Sequence, residues 1–192
     1  MESARQIGIR FKEVKKNKIY LDVLEEKHEV DLLHIFEFNS DRKRMSAIIR
    51  EEDGTIKLYC KGADSMIIER LKEGSEESEL MTQTNNFLYK SSVKGFRTLM
   101  MAMRILEEEE YREWKVIFDK AEMDIHHKEK KLAKAYELIE KDLVYLGCST
   151  VEDKLQENVP RTIADLQAAN ISIWMLTGDK LETAENIGNL KD

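Results

Sequence analysis

FEFNSDRKRMSAIIREEDGTIKLYCKGAD, residues 36–64, is the stretch on which the fold turns. Ile56, Leu58 and Cys60 alternate with Lys57, Tyr59 and Lys61, the period of a strand with one buried face. Asp53-Gly54 stands between that run and residues 44–50. Asp-Gly readily supplies the positive φ of a tight turn, so the two runs are predicted to form a hairpin. Phe38 closes the run before the hairpin, and Lys61 ends the hairpin beside Gly62. An aromatic face and a cation on neighbouring strands suit a flat anionic ligand such as a nucleotide. On pattern alone Phe38 also reads as a core aromatic, two residues from Phe36, and Lys61 as a surface lysine ahead of a helix.

Working outward, residues 18–24 and 30–38 read as strands and residues 1–11 as a helix entered midway, with Ala4, Ile7 and Phe11 on one face. A short helix is predicted over 63–71 and a longer one over 79–94, stopped by Gly95. Residues 96–106 are apolar on both alternating faces apart from Arg97 and Arg104, which suits a central strand covered on both sides. Arg97 in such a run needs an anionic partner or an opening to solvent, and either a phosphate or a glutamate would serve. Tyr111, Trp114, Phe118, Ala121 and Ile125 step by three and four and predict a helix; Leu132, Ala135, Tyr136 and Ile139 begin another. From Leu143 the rhythm changes to strand (143–148), helix (Val159, Ile163, Leu166), strand (171–176), the loop Thr177-Gly178-Asp179, and helix (180–190). That order belongs to a parallel α/β sheet. The predicted class is therefore α+β: an antiparallel sheet with helices over 1–141, then a partial parallel segment over 142–192. The second part has too few units to close a core, so the chain is read as a piece of a longer one.

Of the 192 residues 42% are hydrophobic, enough for a core, and no apolar run approaches the ~20 residues of a membrane span. The formal charge of −7 argues against nucleic acid as a partner. Within residues 36–64, however, six basic residues balance six acidic ones, so that stretch can still take an anion. Arg42, Lys43 and Arg44 read there as a solvated hairpin edge. Cys60 and Cys148 are expected as reduced core thiols, Trp114 and Trp174 as core, and the four histidines show no metal-ligand spacing.

Three motifs taken together, FEFNSDRKRM (36–45), LYCKGAD (58–64) and MLTGDKLETAENIG (175–188), resemble the P-type ATPases. KGFRTL (94–99), EDKLQENVP (152–160) and IWMLTGDKLETA narrow the resemblance to the phospholipid-transporting branch, the lipid flippases. The resemblance covers nearly the whole chain. It implies that 1–141 is a nucleotide-binding domain, a twisted antiparallel sheet flanked by helices and cut at its N-terminus. It implies that 142–192 is part of a phosphorylation domain, Rossmann-like and of the haloacid dehalogenase type.

The resemblance also decides between the open readings of single residues. It implies that Phe38 stacks on adenine while Phe36 stays structural, and that Lys61, supported by Gly62, meets the base edge or the phosphates. Arg97 is implied to contact nucleotide. Thr177, Gly178 and Asp179 are implied to face a phosphorylated aspartate, and Lys154 is a further phosphate candidate. The phosphoryl-accepting aspartate motif DKTGT is not in the chain, so no catalytic residue and no metal ligand is expected here. In the parent protein the family implies ATP, Mg2+, a phospholipid substrate, membrane helices and a possible accessory subunit, with this segment on the cytosolic face. A monomer that binds nucleotide without turnover is expected. The competing readings are an independent dehalogenase-type phosphohydrolase and a non-catalytic helical interaction domain built on the helices of residues 107–141.

Overall fold

The computed structural model describes residues 2–75, 78–152, 156–174 and 176. In chain order the elements are α1 (Glu2–Gln6), β1 (Ile9–Lys15), β2 (Lys18–Val23), β3 (Glu26–Phe36), β4 (Arg44–Arg50), β5 (Ile56–Gly62), α2 (Asp64–Ile68), α3 (Glu79–Val93), β6 (Arg97–Leu106), α4 (Glu108–Glu122), α5 (Lys128–Ile139), β7 (Val144–Val151) and α6 (Val159–Ala168). The seven strands lie in one sheet in chain order. The chain forms two compact units, Met1–Ser75 with Met101–Leu146, and Glu76–Met100 with Gly147–Asp192.

The first unit is built on an antiparallel meander from β1 to β5. The predicted hairpin is present, with Arg44 opposite Gly62 and Arg50 opposite Ile56. Gly54 turns the loop at φ 88°, and the Asp53 carboxylate accepts the Thr55 amide at 2.8 Å. Side chains on β5 alternate as expected: Ile56, Leu58 and Cys60 are buried. The face they share is covered by α4 and α5. Phe36 packs against Trp114, Phe118 and Tyr136, with ring centroids 4.3–6.1 Å apart. Trp114 also donates its indole N–H to the Ala135 carbonyl at 2.8 Å. Tyr111, Trp114, Phe118 and Ala121 are the buried stripe of α4, whereas Ile125 lies beyond the helix end and is exposed.

Residues 9–15 form a strand, not the second half of a helix. β1 and β2 are joined by Lys16-Asn17, and β2 and β3 by Leu24-Glu25, all four at positive φ. These are two-residue turns of the primed type, whose twist matches that of the flanking strands, here built without glycine. β1 is exposed along its whole length.

In the second unit α3 starts at Ser78, whose hydroxyl accepts the Met81 amide at 3.2 Å, and buries Met81, Thr84, Leu88 and Ser91. β6 carries residues of both units, and its burial alternates: Met100, Ala102 and Leu106 are buried while Arg97 and Ile105 are exposed. It is therefore covered mainly on one face, not on both. Of the expected strand–helix–strand segment, β7 and α6 are present, but residues 171–174 form no strand. An apolar run becomes a buried parallel strand only when neighbours supply its ladder and cover its faces. Here α6 buries none of its residues. Trp174, predicted as core, is accordingly 84% exposed. The helix expected over 180–190 lies outside the described residues. Among those described, no helix is long and apolar enough to cross a membrane.

Candidate functional site

The sheet register gathers part of the predicted site at one end of the first unit. Phe36 lies opposite Ser46, and Ser46 opposite Cys60, so these three form one buried row across β3, β4 and β5. Phe38 follows two residues beyond the row on one side; Lys61 and Gly62 follow on the other. Phe36 is 0% exposed and Phe38 60% exposed, so one ring is core and the other is open to solvent. Lys61, on the face of β5 opposite Cys60, is exposed.

Gly62 serves a packing need. A Cβ there would sit 2.5 Å from Arg44 Cβ and 2.6 Å from the Lys43 carbonyl oxygen. Its absence lets β4 enter close to β5, where the Ala63 amide donates to that same carbonyl at 3.0 Å.

The loop that carries Phe38 joins a buried network that the sequence did not announce. Arg42 and Arg44, read as a solvated edge, are buried, and so is Glu140 just past the end of α5. Arg42 Nη2 donates to Glu140 Oε1 at 2.5 Å, and Arg44 Nε donates to Glu140 Oε2 at 2.8 Å. The Ser46 hydroxyl donates to Glu140 Oε1 at 2.5 Å. Arg44 also donates to Glu137, which binds Arg70 through both carboxylate oxygens at 2.9 Å. Arg42 lies over the Tyr136 ring, 4.5 Å from its centroid, and donates from Nη1 to the Glu37 carbonyl at 2.8 Å. Burial opposes charge on Arg44, yet Glu140 and Glu137 outweigh it and hold the guanidinium above its ordinary pKa. Burial likewise opposes ionisation of Glu137, but Arg44 and Arg70 bring its carboxylate below the usual range. The one thiol in the row, Cys60, is pushed up by burial and stays protonated.

What this end of the sheet offers is an exposed aromatic ring and an exposed ammonium just beyond the buried row, with the ion-pair network packed on the Ser46 face of the sheet. Its hydroxyl and thiol are both buried, and the hydroxyl is engaged with Glu140, so the arrangement suits binding of a planar, anionic molecule over bond cleavage. Among the described residues no three His, Cys, Asp or Glu side chains come close enough to hold a metal ion.

A family profile described as "P-type ATPase, cytoplasmic domain N" matches residues 4–158. The chain belongs to the P-type ATPases. The chain is 46% identical over 190 residues to Phospholipid-transporting ATPase DRS2 of Saccharomyces cerevisiae, covering 98% of the chain and 14% of that protein. It is 44% identical over 188 residues to Phospholipid-transporting ATPase IC of Homo sapiens, covering 98% of the chain and 15% of that protein. It is 46% identical over 186 residues to Phospholipid-transporting ATPase DNF1 of Chaetomium thermophilum, covering 97% of the chain and 12% of that protein. This P-type ATPase chain thus spans about one seventh of the length of the relatives it matches. Neither the phosphohydrolase nor the helical interaction domain is favoured by these likenesses.

Of the other predicted site residues in this P-type ATPase chain, Arg97 belongs to the second unit, where it opens β6 and is exposed. Thr177, Gly178 and Asp179 lie outside the described residues, as does Lys154. Sequence reasoning missed Glu140 as the partner of Arg42 and Arg44. The 96–98 residues between them leave no local signal; only the apolar pattern that put α5 over β4 could have suggested it.

Proposed function

We propose that this chain is the nucleotide-binding part of a phospholipid-transporting P-type ATPase and that it holds ATP without turning it over. Phe38 stacks on the adenine, Lys61 meets the base edge or phosphates, and Gly62 supports Lys61 by letting the two strand ends close. Arg97 contacts ribose or phosphate. The observation that carries the reading is the contrast between a wholly buried Phe36 and a largely exposed Phe38 two residues on. An exposed aromatic ring at a fixed position is the usual platform for a base, worth about 1–3 kcal/mol per stacked base.

Residues 1–141 form the nucleotide-binding domain and 142–192 part of a Rossmann-like phosphorylation domain, in which Thr177, Gly178 and Asp179 face the phosphorylated aspartate. The parent protein is an integral membrane enzyme with this segment on its cytosolic face, with or without an accessory subunit. It passes the γ-phosphoryl group to an aspartate outside this chain and uses the phosphoenzyme to move phospholipid between leaflets. Support comes from the likeness to phospholipid-transporting ATPases and from the motifs in order along the chain.

One stack and a few exposed charges supply about 4–6 kcal/mol, so the expected dissociation constant is on the order of 0.1–1 mM. Titration with ATP followed by amide NMR tests it. Shifts centred on Phe38 and Lys61, lost in Lys61→Ala, are the expected result. An unchanged spectrum up to several millimolar ATP, or shifts that survive Lys61→Ala undiminished, overturns the reading.

A further inference from the structure

We propose that Arg42 and Glu140 are positioning residues: together they fix the loop of residues 37–43 in the shape that presents the Phe38 ring. The inference rests on the nucleotide-binding reading and adds two residues that do not touch nucleotide.

At 60% exposed, Phe38 has little packing of its own to hold it, so its direction is set by the loop that carries it. Arg42 grips that loop on both flanks of Phe38. Its Nη1 donates to the Glu37 carbonyl at 2.8 Å, and its backbone amide donates to Asn39 Oδ1 at 2.7 Å. The Lys43 amide closes the turn on the Asn39 carbonyl at 2.8 Å, with Lys43 itself held at φ 49°. The guanidinium is in turn held from α5 by Glu140 and by the Tyr136 ring. Glu140 cannot swing away, because Arg44 and Ser46 occupy its remaining lone pairs. Buried ion pairs of this kind are often no more stabilising than apolar residues of the same volume, because desolvation offsets their attraction. Their distinct output here is directional: a planar fork in one orientation, gripping one loop.

The test uses the full 192-residue chain. Arg42→Lys keeps the charge and loses the fork. Without nucleotide, amide exchange at residues 39–43 is expected to quicken by about 10-fold or more while Ile48 and Leu58 stay unchanged, a local opening. ATP binding is expected to weaken by roughly 3–10-fold. In a Phe38→Ala background the same substitution should change ATP binding no further, because residues that act through one another are non-additive. Wild-type exchange, wild-type affinity, or a full additive loss in the Phe38→Ala background overturns the proposal. Should Arg42→Lys fail to fold, Asn39→Ala takes its place, since it removes one bond of the loop and no buried charge; the same outcomes decide. If the unaltered chain leaves its spectrum unchanged with ATP, the nucleotide reading falls, and the exchange comparison alone then judges the clamp.

Discussion

Replacing Glu140 by glutamine probes the buried network most directly. The change keeps the side chain's shape and removes one charge. It leaves Arg42 and Arg44, both nearly inaccessible, facing an amide, one end of which must point N–H groups at guanidinium N–H groups. Removing one member of a buried ion pair costs about 3–5 kcal/mol, because the remaining charge stays out of water without compensation. Two features temper the loss here. Arg44 keeps Glu137 at 2.7 Å and Arg42 keeps the Glu37 carbonyl at 2.8 Å, so the lower half of that range, about 3–4 kcal/mol, is expected. For a chain of this length each kcal/mol moves the melting temperature by about 2–4 °C, which puts the drop at roughly 6–16 °C. Urea unfolding followed by tryptophan emission gives the free energy directly. Trp114 is buried and dominates the change, whereas Trp174 is exposed before and after. The triple replacement Arg42→Met, Arg44→Leu, Glu140→Met should recover most of the loss, since it removes the charges together. A Glu140→Gln midpoint within about 1 kcal/mol of the parent would show that water reaches these groups and refute the reasoning.

The remaining predictions separate structure from binding. Phe36→Ala should cost about 3–5 kcal/mol of stability through the cavity it leaves. Phe38→Ala should stay within about 0.5 kcal/mol in stability yet weaken ATP by roughly 5–150-fold; the reverse pattern in urea and NMR titrations would exchange the two roles. Gly62→Ala should cost about 1–3 kcal/mol, because the added carbon meets backbone atoms of Lys43 and Arg44 that cannot step aside cheaply, and an unchanged urea midpoint would contradict this. His34, whose Nε2 lies 3.1 Å from the Tyr111 hydroxyl, is held below the ordinary histidine value of 6.5 first by burial and then by Lys115. Its folded pKa is lower than its unfolded one, so its share of stability is complete above 6.5 and declines as pH falls through the lowered value. An imidazole midpoint at or above 6.5 in an NMR titration would contradict that.

The hairpin from Arg44 to Gly62 was legible because its turn carries Asp-Gly and its second strand alternates cleanly. The stripe of α4 was legible because a 3.6-residue period over three large aromatic side chains and an alanine has few other readings. β1 was not, for two physical reasons. Its turn into β2 uses Lys16-Asn17, where twist matching overrides the usual demand for glycine. In addition, the register shifts between Phe11 and Glu13, so Val14 falls out of phase with Ile9 and Phe11. Phe38 and Lys61 were singled out by a resemblance carried by neighbouring motifs, and the structure shows both side chains exposed. The burial of Arg42 and Arg44 was not readable, because charge in a sequence looks solvated until a distant carboxylate is found for it. Trp174 failed in the opposite sense: apolarity states a demand for partners and does not supply them.

The meander has a consequence for the order in which the molecule takes shape. Each pairing from β1 to β5 joins strands that are neighbours in the chain, so this sheet closes only short loops and can zip up early. Glu140, by contrast, reaches Arg42 across 98 residues, one of the longest closures in the unit. The loop that carries Phe38 is therefore among the last parts to settle, even though its residues leave the ribosome before most of the chain. On this reasoning the β1–β5 meander is formed before the loop that carries Phe38, and docking of α5 is the event that separates the two.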